Sequence, residues 1–433
     1  MDFKGKTVFW FRRDLRLEDN RGLYEALFNE KDVIPIFIFD RNIIDELPKN
    51  DPRVTFIHKA ISQLKDQLNA IGTDLKVFDG TPKDVFKKME PAAVYANHDY
   101  EPYARSRDQR IAEILSDKDI RFRTYKDQVI FERNEVAKDD GSPYTVYTPF
   151  SKKWKSLLAQ TGLSTYRCEP LFHSFAKVPA EPIISMEELG FEQSQLAPDP
   201  IPQIDEAIID SYNNIRDYPG KNGTSRLGIH LRFGTLSIRY LVKMASELNQ
   251  TYLNELIWRE FYMMILWHFP HVVDRSFKPA YDAIEWRNNE EEFEKWCQGK
   301  TGIAMVDAGM RELNATGYMH NRARMIVASF LSKNLLIDWR WGEAYFAEKL
   351  LDFELASNNG GWQWAAGCGC DAAPYFRVFN PDLQASKFDP DLEYVKKWVP
   401  EYNQIHYRPM VDLKATRVRA IDVYKSALNQ TQV

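Results

Sequence analysis

In Asn254-Glu255-Leu256-Ile257-Trp258-Arg259-Glu260-Phe261, helical spacing sets Glu255 beside Trp258 at i+3 and Arg259 at i+4. A carboxylate, an indole and a guanidinium then share one face. A carboxyl held against an aromatic wall has its proton affinity raised, so it can donate a hydrogen bond to an anionic ligand group near neutral pH. The same spacing also describes an ordinary i,i+4 salt bridge on a core helix. In Tyr318-Met319-His320-Asn321-Arg322-Ala323-Arg324-Met325, the two arginines lie two apart and point to different sides of a helix. One can meet a phosphate while the other meets something internal; a solvated helix end reads the same. Met325 by itself reads as a flexible gap filler.

The densest segment is Asp352-Phe353-Glu354-Leu355-Ala356-Ser357-Asn358-Asn359-Gly360-Gly361-Trp362-Gln363-Trp364, which combines acids, tandem amides, two glycines and two indoles. The glycine pair permits close backbone approach to a flat ligand, and tryptophans two apart on a helix project about 200° from each other, one toward a cavity and one toward the interior. A turn followed by two core tryptophans is the alternative. Gly223-Thr224-Ser225-Arg226-Leu227-Gly228 offers hydroxyls and backbone N–H groups for an anion, although helix capping by Thr224 or Ser225 accounts for it equally.

These segments need a scaffold, and the two halves of the chain supply different ones. From Thr7 to about Asp127, β-rich runs (Val8 to Phe11, Val33 to Phe39, Leu75 to Phe78, Ala93 to Ala96, Phe122 to Tyr125) alternate with amphipathic stretches such as Val54 to Leu68. That pattern predicts an open α/β sheet. Residues 131–200, with scattered prolines, read as an interdomain connector. From about 201 onward the periodicity is helical, with examples at Leu256 to Trp267, Ile303 to Leu313, Arg324 to Leu336 and Trp341 to Leu351. The expected organisation is an α/β domain over 1–130, the connector over 131–200 and a larger all-α domain over 201–433.

At 433 residues, 44% hydrophobic and 27% charged, the chain has room for two or three domains and the composition of a folded globular protein. No apolar run approaches a bilayer span, and the start lacks the pattern of a secretory leader. Four cysteines suit a reducing cytosol, so a cytoplasmic protein is expected, and Cys368-Gly369-Cys370 is too close-set for zinc. A formal charge of −5 confines any nucleic-acid site to a local patch. Neither a Gly-x-Gly-x-x-Gly fingerprint nor a P-loop is present. Of the 11 tryptophans, ten lie after residue 150.

Taken together, Phe9-Trp10-Phe11-Arg12-Arg13-Asp14-Leu15-Arg16, Thr224-Ser225-Arg226-Leu227, Trp258-Arg259-Glu260-Phe261, Gly299-Lys300-Thr301-Gly302 and Asn358 to Trp364 resemble, in order and over nearly the whole chain, the DNA photolyase/cryptochrome family, most closely its class I cyclobutane pyrimidine dimer photolyases. The resemblance implies an N-terminal antenna-type α/β domain and a helical domain that holds FAD. Tyr212, Thr224, Ser225, Arg226, Leu227 and Gly228 match FAD phosphate and ribose contacts; Arg324, Asp352 and Glu354 match the wall beside the isoalloxazine; Asn358 matches the residue facing flavin N5. Glu255, Trp258, Asn321, Arg322, Met325 and Trp364 match the dimer pocket, and Arg216, Arg377 and Gln384 match DNA-contacting positions.

The implied activity is light-driven repair of cyclobutane pyrimidine dimers in DNA by a monomer. Trp362, Trp339 and Trp296 match the family's chain for reducing oxidised flavin, and the additional Trp341 reads as packing. Glu101 resembles an antenna-binding acid. Where class I folate enzymes carry a Cys-Lys pair, this chain has His271-Val272-Val273-Asp274, which leaves a folate, a deazaflavin, another flavin or no second chromophore open. The alternative is a blue-light signalling cryptochrome with bound FAD and a protein partner. Against it stand the complete dimer-pocket set and the short stretch after Trp398.

Overall fold

In the computed structural model, which describes residues 3–430, the first half of the chain forms a five-stranded sheet: β1 (Thr7–Phe11), β2 (Val33–Asp40), β3 (Lys76–Gly80), β4 (Ala93–Asn97) and β5 (Arg121–Tyr125). The order is β3-β2-β1-β4-β5 and every pairing is parallel. Central Trp10 registers with Ile36 on one side and Ala96 on the other. All residues of β1, β2 and β4 are buried, which is why these strands read as continuous apolar runs and not as alternating ones. The crossovers are helices at Arg21–Asn29, Pro52–Ala70, Pro82–Lys88 and Pro102–Ser116. Three of the four carry proline in their first turn, where its missing N–H costs nothing.

Most of the remaining chain is helical, through Gln250–His268, Ala304–Thr316, Asn321–Ser329, Trp339–Lys349 and Leu355–Ala366 to the terminal Leu413–Gln430. The helix expected over Arg324 to Leu336 stops at Ser329 and continues as a π turn over Phe330–Asn334. One core joins these helices except Gln250–His268, and Trp296, Trp339 and Trp362 all lie in it.

The compact units are not contiguous in sequence. The first takes the chain up to Glu132 with Ser156–Ile204 and Leu227–Ser246; the second takes Arg133–Lys155, Asp205–Arg226 and the chain from Glu247. The boundaries expected at 130 and 200 are therefore not those of the compact units. The proline-bearing stretch is shared between them, because Tyr147–Thr161 is a helix whose Phe150 and Trp154 are buried. Among the described residues no helix is long and apolar enough to cross a membrane, no metal-ligating cluster is present and all four cysteines are unpaired.

Candidate functional site

Three helices of the second unit converge on a cavity of about 410 Å³. Gln250–His268 starts under an Asn249 cap, whose side chain accepts from the N–H groups of Thr251 and Tyr252, and brings Glu255, Trp258 and Arg259 to the wall. Asn321–Ser329, capped by His320, contributes Asn321, Arg324 and Met325. Leu355–Ala366 and the turn before it contribute Asp352, Glu354, Asn358, Trp362 and Trp364. Arg216 and, from the helix Trp339–Lys349, Phe346 also line the cavity. Some residues of each group assigned from sequence thus line one space: Arg324, Asp352, Glu354 and Asn358 of those expected to hold a flavin, and Glu255, Trp258, Asn321, Met325 and Trp364 of those expected to meet a dimer.

Within it the charges are arranged in pairs. Glu255 accepts a hydrogen bond from the Arg216 guanidinium, yet burial still pushes its carboxyl above the ordinary carboxylate range. Arg324 holds Asp352 through two hydrogen bonds of 2.9 and 3.1 Å, and Arg259 reaches Glu354 at 3.1 Å. The Nδ2 of Asn358 donates to the main-chain oxygen of Glu343 at 3.1 Å and to its carboxylate at 3.0 Å. With both hydrogens engaged there, the amide has its Oδ1 to offer the cavity.

Tyr147, in the stretch read as connector, escaped the sequence reading. Its ring stacks on Trp258 with centroids 3.6 Å apart and planes 5° from parallel. Its N–H donates to Asp371 at 3.1 Å and its hydroxyl to the Asn254 carbonyl at 2.9 Å. The signal was available locally: Phe150 and Trp154, four apart, mark the buried face of its helix.

Other assigned residues lie elsewhere. Arg322 and Arg324 do diverge: Arg322 pairs with Asp217 and lines a second cavity, of about 450 Å³, with Arg377 and Gln384. Arg322 is not among the residues that line the first cavity, though its guanidinium lies 4.0 Å from the sulfur of Met325, which does. Tyr212, Thr224, Ser225 and Arg226 are not among the first cavity's wall residues either. Tyr212 and Ser225 gather at Tyr252, with ring centroids 5.1 Å and hydroxyls 2.8 Å apart, and the Arg226 carbonyl accepts from Tyr318 at 3.1 Å. Arg226 is left-handed, with φ of 52°, an uncommon conformation for a residue bearing a Cβ. Leu227 and Gly228 open a helix of the first unit.

Of the three assigned tryptophans, Trp296 and Trp339 are fully buried, and Trp296 lies 6.0 Å from Trp362 between ring centroids. Half-buried Trp341 meets the Phe293 ring edge-on, with centroids 5.2 Å apart. In the first unit, Glu101 is engaged by Arg13 and Arg232.

Comparison with known proteins decides the family. Residues 7–170 match the DNA photolyase profile and residues 252–416 that of the FAD binding domain of DNA photolyase. A deoxyribodipyrimidine photo-lyase of Halobacterium salinarum is 37% identical over 92% of this chain and 90% of its own, and one of Synechococcus sp. is 35% identical over 95% and 91%. This chain belongs to the DNA photolyase family.

Solved photolyases agree. A class III photolyase from Agrobacterium tumefaciens superposes with a TM-score of 0.84 at 31% identity over 98% of both chains. An archaeal photolyase from Sulfolobus tokodaii, solved with two FAD molecules, gives 0.82 at 33% identity over 97% of this chain and all of its own. A Synechocystis cryptochrome, 24% identical with a TM-score of 0.79, shares the fold.

The photolyase cavity fits FAD on its own terms. The buried Nε1 of Trp362 has no hydrogen-bond partner, an orphaned donor on the wall. On the helix beneath, a Cβ at Gly360 would strike the Tyr262 ring at 2.2 Å, whereas one at neighbouring Gly361, a wall residue, meets nothing within 4 Å. The chain leaves space over Gly361 that it does not fill.

Proposed function

We propose that this photolyase-family chain binds FAD in the first cavity and repairs cyclobutane pyrimidine dimers in DNA under blue light. The observation that carries the reading is the single cavity that joins Arg324, Asp352, Glu354, Asn358 and Trp362 to Glu255, Trp258, Asn321, Met325 and Trp364. Bound there, reduced FAD would on excitation lend one electron to the dimer and recover it once the two carbon–carbon bonds of the cyclobutane ring have broken, with no net redox change.

The protein's own groups do the rest. Arg324, Asp352 and Asn358 hold and orient the cofactor, and the Asn358 amide, fixed by Glu343, offers an acceptor oxygen to it. Trp258, backed by Tyr147, and Trp364 wall two extruded bases by stacking. A dimer pairs and stacks poorly, so its extrusion costs less than flipping intact bases. Glu255, its carboxyl raised by burial, donates a hydrogen bond to a dimer carbonyl as negative charge develops there. Arg322, Arg377 and Gln384 meet the DNA around the lesion from the second cavity. The reading keeps the protein a cytoplasmic monomer, in line with four unpaired cysteines, and a mass measurement in solution checks its oligomeric state.

Dark titration tests the shared cavity. FAD-loaded protein should shift its flavin absorption bands on adding a dimer-containing oligonucleotide and stay unmoved by the undamaged one. Equal binding of both with no spectral response contradicts the reading.

A further inference from the structure

The π turn Phe330–Asn334 buries a lysine. Lys333 is 1% exposed, and its ammonium donates to the main-chain oxygen of Arg377 at 2.8 Å. Among the described residues no carboxylate pairs with it; the titratable groups that bear on it are the buried Cys368 thiol and Arg377 itself. An ammonium buried against one carbonyl weakens a fold, and a methionine of similar length would pack there without that cost. A π turn costs regularity as well, and such turns concentrate at functional sites. The helix gives up both to reach one loop.

That loop joins Leu355–Ala366 to the helix Pro381–Phe388 and carries Phe376, 57% exposed, and the exposed Arg377 at its tip. The first half of the loop is tied to distant chain, by the Tyr147 N–H to Asp371 at 3.1 Å and the Lys278 N–H to the Cys368 carbonyl at 3.0 Å, whereas the main-chain hydrogen bonds around Arg377 are short-range: its own N–H to the Pro374 carbonyl at 2.9 Å and the Val378 N–H to that of Phe376 at 3.1 Å. Its tethers to the stretch beneath are Lys333 and, at 3.4 Å, the Ser329 hydroxyl that accepts from the Phe379 N–H. Both come from the turn of chain where the α-helix gives way to the π turn.

We propose that Lys333 is a positioning residue for DNA binding: its buried N–H donor fixes the backbone at Arg377, so the guanidinium meets DNA without first having to be ordered. The inference rests on the DNA-repair reading above. Ordering a free loop on binding lowers affinity without touching the chemistry that follows.

The test uses full-length, FAD-loaded protein with Lys333→Met, Lys333→Gln, Arg377→Ala and the Met/Ala double variant. Dark affinity for a dimer-containing oligonucleotide is measured by anisotropy, beside the repair rate at saturating DNA and the Tm. Lys333→Met should weaken binding about five- to tenfold, with the saturated repair rate unchanged and the Tm equal or higher. Lys333→Gln, which keeps an N–H donor without the charge, should bind close to wild type. In the Arg377→Ala background, Lys333→Met should add little. Wild-type affinity in Lys333→Met overturns the inference, as do losses that multiply in the double variant. So does a methionine variant that drops its flavin or melts early, since the inference requires the fold to survive without the ammonium. A wild-type protein that binds no dimer DNA fails the functional reading instead.

Discussion

Asn358 and Glu343 are joined by two hydrogen bonds from one amide nitrogen, to the glutamate's main-chain oxygen and to its carboxylate. Burial raises the Glu343 carboxyl from its ordinary value to about 7, offset only in part by the Asn358 hydrogen bond. The folded protein therefore binds a proton that the unfolded chain releases near pH 4.5, so this group's contribution to stability is greatest below that and declines as pH rises toward 7. Glu343→Gln, which keeps an oxygen for Asn358, should leave the Tm unchanged near pH 4 and raise it above pH 7. Parallel Tm-against-pH curves for the two proteins would contradict this.

Glu255 should matter to repair and little to cofactor retention. Glu255→Ala removes a donor aimed at developing charge and should slow repair by roughly tenfold to a hundredfold with bound FAD unchanged. Because burial raises this carboxyl, wild-type repair should fall as pH climbs through its proton release, and the alanine variant should lose that limb. Full repair by Glu255→Ala would remove the assigned role.

Trp362 is the wall tryptophan expected to relay electrons to oxidised flavin. Trp362→Phe should abolish light-driven flavin reduction while sparing repair by enzyme reduced beforehand; unchanged photoreduction would sink the assignment. Trp296→Phe tests the 6.0 Å neighbour and should slow the same reduction. Gly342→Ala reaches Trp362 indirectly, because a Cβ there would lie 2.1 Å from its ring. It should destabilise by about 1–3 kcal/mol and slow photoreduction too.

The sheet and the site helices were legible because their signals are local. Fully buried parallel strands give apolar runs, and Glu255, Trp258 and Arg259 sit within one turn of one helix. What escaped depends on contacts between distant segments. Trp258 stacks on Tyr147, 111 residues earlier, and the spacing around Glu255 holds no trace of that ring or of Arg216. The π turn that points Lys333 inward interrupts a stretch whose apolar period reads as continuous helix. Arg322, assigned by motif, pairs with Asp217, 105 residues earlier, a contact that its local spacing does not show. The grouping of Leu227–Ser246 with the first unit leaves no composition change in the sequence.

The most direct test of the account is repair itself: reduced, FAD-loaded protein is incubated with a dimer-containing oligonucleotide under blue light and in darkness. The account predicts intact bases restored in the light and none in the dark. Absence of repair in the light, with flavin bound and reduced, would contradict it.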